Sequence, residues 1–383
     1  MKRLLLITYD FPPRGASGVF RMAKFARYLP EWDWQPVVVT AAGVGPHPDP
    51  QLLTELPSNT EILRVGLTRS HDAQPAAVLS VQPRRSWRSR LKPWIVPDPQ
   101  LQWVPAATWL AWRRLRAGDI QLIMTSGPPF STHLVGLALK QFAPRVPWLM
   151  DLRDPWSEAP NQRLLIPYKL NRLIERRCLQ SADHVTVVTD GMQQLMIERL
   201  GVAPERITTI TNGFDRHDTA PTGTSRTATA QCKPGPLCIR YVGSIVGLRA
   251  QAAQGFFSAL QQLQAEGIDR SRLLVQFIGT FAPAIHTAAS HVPELVDIVP
   301  FVSHAEAVDQ MATADVLLLL LTNDMEGRIM HTSKLFEYLA LGRPILNIAP
   351  PGEVRDLIAS TGAGSSVRPT DVDDIAGALR SLI

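Results

Sequence analysis

The sequence predicts an α/β protein made of two Rossmann-like domains, and three observations carry this prediction. Short apolar runs, such as those at 4–8 and 316–321, have the length and composition of buried parallel strands. Amphipathic helical segments alternate with these runs along the chain. A stretch at 218–236 is rich in Thr, Ala, Pro and Gly and poor in apolar residues, and it separates two such alternations. We therefore predict an N-terminal domain at 1–217, a linker at 218–236 and a C-terminal domain at 237–383.

The elements of the first domain follow in order. The strand at 4–8 leads into a loop with Gly15 and Gly18 and then into an amphipathic helix at about 19–29. The remaining predicted strands lie at 37–39, 120–124, 148–150 and 184–188, and the remaining helices at about 131–142, 167–180 and 192–200. Because helices separate successive strands, this sheet is predicted to be largely parallel.

The second domain repeats the alternation. A strand at 238–242 is followed by a glycine turn that begins at Gly243 and by a helix at about 250–266. Further strands are predicted at 273–278, 296–299, 316–321 and 345–348, and the last residues, 371–383, form one short helix at most.

The segment HTSKLFEYLALGRP at 331–344 predicts an anion-binding site. Thr332 and Ser333 are good capping residues, so a helix is expected to begin there, just after the strand at 316–321. Open α/β sheets bind ligands at the carboxyl ends of their strands, and a helix N-terminus attracts phosphate groups. Lys334 adds a full positive charge, which makes a diphosphate the expected ligand. The alternative is that Lys334 and Glu337, three residues apart, form only an exposed ion pair.

Composition limits the function classes. The chain has 383 residues, 45% of them hydrophobic, and a formal net charge of +5. Its three cysteines lack metal or redox spacing, which favours free thiols in a reducing compartment. The apolar run after Lys2 is too short for a signal peptide, and no run approaches the ~20 residues of a membrane span.

The segment 84–116 combines eight basic residues with one acid and five tryptophans. This composition suits contact with an anionic membrane surface. Two alternatives remain: Trp109 and Trp112 have helical spacing and belong to a core, or the basic residues bind nucleic acid.

Several segments in a fixed order resemble glycosyltransferases of family 4, the GT-B group that includes enzymes of surface-polysaccharide and exopolysaccharide biosynthesis. The resemblance lies at 8–15, 126–133, 151–156, 212–215, 241–244 with Arg249, 314–317 and 331–344. It implies two Rossmann-like domains facing a cleft, and transfer of a sugar from a nucleotide donor with retention of configuration. The first domain is then expected to bind the acceptor and the second the donor.

The resemblance also implies a donor site, in which Glu337 contacts the ribose and Arg249 and Lys334 contact the diphosphate. Fixed cations and a helix dipole stabilise a departing nucleoside diphosphate, so neither a metal nor another cofactor is expected. The donor is expected to be a UDP- or GDP-sugar. The expected donor-binding residues are Gly15, Gly18, Gly243, Ser244, Arg249, Thr332, Ser333, Lys334, Leu335 and Glu337.

The sequence departs from the family pattern at two places. Many members carry a second glutamate eight residues before the first, where this chain has Ile329, and Glu326 or Asp324 in the preceding loop is the candidate replacement. Many relatives also carry a histidine near 151–154, where this chain offers two aspartates and an arginine.

The acceptor candidates follow from this second departure and from the residues around it. Asp154 is favoured to orient or deprotonate the acceptor hydroxyl, although pairing with Arg153 is the alternative. Asp151 and Arg153 are further candidates. Trp156 either stacks on a sugar ring or fills the core, and His331 either contacts the phosphate site or is structural.

The sequence thus predicts a retaining glycosyltransferase that moves a hexose or modified hexose to a hydroxyl of a lipid-linked glycan. It is expected in the cytoplasm, peripherally at the inner face of the membrane through 84–116. Nucleic acid is not an expected partner. Two alternatives stay open: a nucleotide-sugar epimerase or pseudo-glycosyltransferase of the same fold, and a basic nucleic-acid-binding protein.

Overall fold

The protein is known from a computed structural model, which describes residues 1–15, 17–43, 45, 48–66, 95–158, 165–215, 235–245 and 248–383. These residues form two compact units, Met1–Thr211 and Asn212–Ile383. Apart from residues 235 and 236, the predicted linker lies outside the described residues.

The first unit contains a seven-stranded parallel sheet with the order β3-β2-β1-β4-β5-β6-β7. Leu5, Leu6 and Ile7 of β1 are fully buried, as expected for a central strand covered by helices on both faces. The strands are β1 (Lys2–Thr8), β2 (Trp34–Ala41), β3 (Glu61–Val65), β4 (Ile120–Gly127), β5 (Trp148–Leu152), β6 (His184–Val187) and β7 (Ile207–Thr209).

The helices of the first unit begin and end as local chemistry dictates. For example, the Thr189 hydroxyl caps the helix Asp190–Leu200 by accepting from the Met192 N–H, and Gly201, at φ 72°, ends that helix. The helices are α1 (Ser17–Tyr28), α2 (Gln51–Thr54), α3 (Val104–Leu115), α4 (Ser131–Phe142), α5 (Leu165–Ser181) and α6 (Asp190–Leu200).

The second unit contains a six-stranded parallel sheet with the order β10-β9-β8-β11-β12-β13. Its strands are β8 (Leu237–Val242), β9 (Leu273–Ile278), β10 (Val296–Val299), β11 (Val316–Leu320), β12 (Ile345–Ile348) and β13 (Gly364–Val367). Its helices are α7 (Leu248–Ala265), α8 (Pro283–Ser290), α9 (His304–Ala312), α10 (Met325–Ile329), α11 (Ser333–Leu341), α12 (Glu353–Thr361) and α13 (Val372–Leu382).

The predicted fold class, α/β with two Rossmann-like domains, is confirmed. In each sheet the strand order reverses beside the first strand, between β1 and β4 and between β8 and β11. Ligands of open α/β sheets bind at the carboxyl ends of the strands at such reversal points. The C-terminal helix α13 packs on α7, and Ile375 and Leu379 complete the core of the second unit.

Candidate functional site

In the second unit, a turn at the carboxyl end of β8 makes room for a lysine. Gly243 has a φ of +129°, and a Cβ at this position would overlap Cε and Nζ of Lys334. Glycine is therefore required here both by the backbone conformation and by the close approach of the side chain. The Lys334 side chain passes directly over this turn.

The ammonium group of Lys334 is positioned by Tyr241. Its Nζ lies 5.1 Å from the centre of the Tyr241 ring and donates to the Tyr241 hydroxyl at 3.4 Å. That hydroxyl in turn donates to the Ser244 carbonyl at 3.2 Å. Because the Tyr241 ring is buried against Phe277 and Phe281, the cation is supported by a rigid aromatic group.

The first turn of α11 lies at the same place. The Thr332 hydroxyl caps the helix by accepting from the Lys334 N–H at 3.2 Å, as its residue type predicts. Ser333 is exposed, whereas Leu335 is fully buried in the core and its backbone N–H already donates to the Thr332 carbonyl at 3.1 Å. The first turn of the helix places a partial positive charge beside the Lys334 side chain.

Tyr338 holds α11 against the sheet. Its buried hydroxyl accepts from the Val242 N–H at 3.3 Å and donates to the Leu318 carbonyl at 3.4 Å. Burial raises the pKa of this hydroxyl, so the group stays neutral. The helix N-terminus is thereby fixed relative to β8 and β11, the two strands at the reversal point.

Gly279, which the sequence analysis did not single out, completes the turn region. It follows β9, has a φ of +140°, and a Cβ on it would overlap the Gly243 carbonyl. A glycine at the carboxyl end of a predicted strand was the available sequence signal. The ends of β8 and β9 thus pack with no side chain between them.

The remaining candidates for donor binding lie on α7 and α11 or at the short helix α10. Glu337 lies half-buried on α11, one turn from Lys334, and the side chain of Arg249 lies outside the described part of the structure. Glu326 and Ile329 are half-buried on the short helix α10. Asp324 is occupied as the cap of α10, because its carboxylate accepts from the Thr322 hydroxyl at 2.8 Å and from the Gly327 N–H at 3.1 Å.

His331 has a structural environment. Its side chain is 8% exposed, and its Nε2 lies 3.4 Å from a carboxylate oxygen of Glu353, at the start of α12. Its ring also meets the Phe336 ring edge to face at 5.6 Å. These contacts favour the structural alternative for this residue.

In the first unit, Asp151 is a buried anchor and does not fit the expected contact with an acceptor. It is fully buried, and its oxygens accept from Arg21 at 3.0 Å, from Ser126 at 2.7 Å and from Thr186 at 2.8 Å. Burial alone raises the pKa of a carboxyl, but the charge and hydrogen bonds of these partners hold the pKa of Asp151 below its usual value. Sequence reasoning missed its partner Arg21, because a basic residue on an amphipathic helix is ordinarily solvated.

Arg153 ties loops together. Its guanidinium donates to the Gly18 carbonyl at 2.5 Å, to the Gly127 carbonyl at 3.3 Å and to the Pro128 carbonyl. A Cβ on Gly18 would overlap this guanidinium. The Arg153 guanidinium therefore fills the space that the missing side chain of Gly18 leaves, whereas Gly15 lies in the loop between β1 and α1.

Trp156 belongs to the core. It is fully buried, stacks on Phe130 with ring centres 5.1 Å apart, and donates to Asn171 of α5 at 2.9 Å. His133 beside it is also buried, and burial lowers its pKa to about 3, so it is neutral. Asp154, in contrast, is exposed just after β5 and is the acidic residue of this segment that solvent reaches.

The basic segment is only partly described, since residues 67–94 lie outside the described ranges. In the described part, Trp103 is buried, whereas Trp109 is 56% exposed with the Arg113 guanidinium over its ring. The structure thus places one tryptophan in the core and another at the surface.

Two features are absent from the described ranges. No group of three or more His, Cys, Asp or Glu side chains with the arrangement of a metal site occurs there. Nor is any of the helices resolved in those ranges long and apolar enough to cross a membrane.

A family model described as Glycosyltransferase Family 4 matches residues 18–218, more than half of the chain. No curated protein sequence matches the chain.

Solved structures share the fold at low sequence identity. A glycosyltransferase from Rickettsia africae aligns with a TM-score of 0.66 at 13% identity, covering 100% of this chain and 88% of that one. Anabaena Alr3699/HepE in complex with UDP aligns at 0.64 and 14% identity, covering 100% and 89%. The sucrose-phosphate synthase of Thermosynechococcus elongatus aligns at 0.67 and 15% identity, covering 100% and 90%.

Proposed function

The chain belongs to glycosyltransferase family 4, and from this premise we propose that it transfers a hexose or modified hexose from a UDP- or GDP-sugar to a hydroxyl of a lipid-linked glycan. The observation that carries the donor half of the proposal is the placement of Lys334. Its ammonium lies over the Gly243 turn and beside the first turn of α11, at the reversal point of the second sheet. This arrangement provides positive charge at the place where open α/β sheets bind phosphate groups.

The proposed chemistry is mainly electrostatic. As the bond to the sugar breaks, negative charge grows on the departing diphosphate, and Lys334 and the positive end of the α11 dipole stabilise that charge. Arg249 supplies a second cation in the proposal. The charge is then balanced without a metal ion, and the departing phosphate oxygen takes the proton of the incoming hydroxyl on the same face of the sugar, which retains the configuration.

UDP is favoured over GDP as the first donor to test. Solved structures of Anabaena Alr3699/HepE, which is similar in fold, contain UDP, UDP with glucose, and UDP-glucose. On the acceptor side, Asp154 is the proposed residue to orient the hydroxyl, because it is exposed at the carboxyl end of β5. We place the reaction in the cytoplasm, at the inner face of the membrane, within surface-polysaccharide synthesis.

Calorimetric titration with UDP and GDP tests the donor site. Wild-type protein should bind one of the two, and Lys334→Ala should weaken binding by at least about tenfold, the value of one charge-assisted contact. Arg272→Ala is the matched control: it removes the same charge in the same unit, but at the amino end of β9. Equal affinity in wild type and Lys334→Ala would overturn the proposed site.

Product analysis tests the reaction. A nucleotide-sugar mixed with a lipid-linked saccharide should give an elongated glycan with the donor's anomeric configuration, and chelators should leave the rate unchanged. Turnover of the nucleotide-sugar with no acceptor present, giving an isomerised sugar, would instead support an epimerase.

A further inference from the structure

The exposed face of α5 is apolar where a surface helix is ordinarily polar. Ile166, Leu170 and Leu173 are 67%, 44% and 66% exposed. Their spacing of four and three residues places them in one line along the helix. This line is called the α5 stripe below.

Cations flank the stripe. Lys169, Arg176 and Arg177 are exposed on the same face, and none of them has an ion pair within the described residues. The fourth basic residue, Arg172, is turned aside and pairs with Glu158 at 3.0 Å. The one acid of the helix, Glu175, is fully buried, so the exposed face carries positive charge alone.

The rotation of α5 is fixed from its inner side. Asn171 accepts from the buried Trp156 indole, Glu175 accepts from the Ser157 N–H at 3.0 Å, and Cys178 is fully buried. These contacts anchor three successive turns. The helix therefore cannot turn its stripe inward to hide it from water.

Neighbouring helices of the same layer also carry exposed apolar side chains. Helix α4 packs against both α3 and α5, so the three helices form one layer. Trp109 on α3 and Phe142 at the end of α4 are 56% and 63% exposed. An indole with an arginine over its ring suits the headgroup region of a bilayer.

We propose that the α5 stripe and its three cations dock the protein on a membrane surface that contains anionic lipids. A straight line of aliphatic side chains reaches the boundary between headgroups and acyl chains together, while the flanking cations contact lipid phosphates. The absence of any exposed acid on this face of the helix complements an anionic lipid surface. The proposal goes beyond sugar transfer and does not depend on it.

Co-sedimentation of the full-length protein with vesicles tests this docking surface. Vesicles of phosphatidylcholine with phosphatidylglycerol should bind wild-type protein, and vesicles of phosphatidylcholine alone should bind it far less. The variant K169Q/R176Q/R177Q should bind about a hundredfold less, at roughly fivefold for each lost charge near the surface. L170S/L173S should bind at least about tenfold less, because less apolar area enters the interface.

Matched controls separate this face from a general effect of charge or hydrophobicity. R145Q/R272Q/R368Q removes three exposed arginines from other elements, and Trp32→Ser removes a side chain that is 77% exposed elsewhere in the first unit. Both controls should bind vesicles within about twofold of wild type. Circular dichroism and thermal unfolding of each variant show that it is folded. Calorimetric binding of UDP or GDP separates failure of this proposal from failure of the donor site.

Three results would overturn the proposal. One is no binding of wild-type protein to the anionic vesicles. Another is unchanged binding of both α5 variants, with loss only in W109S/F142S, which would move the docking surface to α3 and α4. The third is a wild-type dimer that L170S/L173S converts to a monomer without vesicle binding, which would make a second copy of the chain the occupant.

Discussion

The side chain of Lys334 occupies the space that a Cβ at Gly243 would fill. The absence of a side chain at Gly243 therefore determines where the Lys334 side chain can lie. In Gly243→Ala the new methyl group displaces the flexible end of Lys334. We therefore expect about tenfold weaker binding of the nucleoside diphosphate, together with a loss of stability of about 1–3 kcal/mol from the strained positive φ. Calorimetric titration and urea unfolding measure the two quantities.

The control for this variant is Gly267→Ala. Gly267 has a φ of +89° in the same unit, but a Cβ there would meet nothing within 4 Å. It therefore reproduces the backbone strain of a positive φ without moving Lys334. If both variants weaken nucleotide binding equally, displacement of the lysine is not the cause.

Glu175 makes stability depend on pH. Burial raises its pKa from 4.5 to about 7, outweighing its hydrogen bond from Ser157. The folded state therefore holds this proton more tightly than the unfolded state. The resulting stability is fully present below pH 4.5, falls as the pH rises towards 7, and is then constant. Glu175→Gln should gain about 2 kcal/mol relative to wild type between pH 5 and pH 8, on the order expected for such a shift.

Urea unfolding at both pH values measures this difference. Glu198→Gln, at an exposed position on α6, serves as the control and should show no pH-dependent difference from wild type. A constant offset between Glu175→Gln and wild type at the two pH values would mean that Glu175 ionises normally in the folded protein.

At the scale of elements, one arginine connects the loops at the carboxyl edge of the first sheet. Arg153 follows β5 and donates to the carbonyls of Gly127, the last residue of β4, and of Pro128, and to the carbonyl of Gly18 at the start of α1. Lysine has no planar fork and cannot make these bonds together. We expect Arg153→Lys to lower the free energy of unfolding by about 2 kcal/mol, since buried carbonyls lose their donors.

Thermal or urea unfolding checks this expectation, with Arg145→Lys as the control. Arg145 is exposed after α4, and its replacement should change stability by no more than about 0.5 kcal/mol. Equal midpoints for the two variants would show that the loops are held by other contacts.

At the scale of the whole molecule, the two compact units should respond differently to the nucleotide. Each unit has its own parallel sheet, and the proposed diphosphate contacts lie in Asn212–Ile383. Ligand at a hundred times its dissociation constant stabilises the state it binds by about 2.7 kcal/mol. Amide exchange should therefore slow on addition of UDP or GDP at 243–245 and 333–335, where the turn and the first turn of α11 meet.

The same exchange measurement provides its own reference. Amides of β6 and β7 in the first unit should exchange at an unchanged rate if the contacts are those proposed. Protection confined to Met1–Thr211, with none in the second unit, would contradict the assignment of the donor diphosphate to α11.

The sequence by itself determined the alternation of strands and helices, since central strands such as β1 and β11 are continuous apolar runs that only a buried position explains. It missed the short edge strands β3, β7 and β13. Glu61 and Arg64 interrupt β3, β7 has only three residues, and Gly364 to Ser366 leave β13 without an apolar pattern. The capping of α11 and the place of Lys334 at its first turn were also readable, because caps and charges act within a few residues.

Only the tertiary structure decided what each polar residue of the sites does. Asp151 and Asp154 are three positions apart in one acidic segment. Asp151 is buried and pairs with Arg21, whereas Asp154 is exposed. Gly18 and Gly243 likewise differ in what fills the space beside them, Arg153 in one case and Lys334 in the other. These outcomes depend on partners up to 135 residues away in the chain, and local patterns carry no information about such long-range contacts.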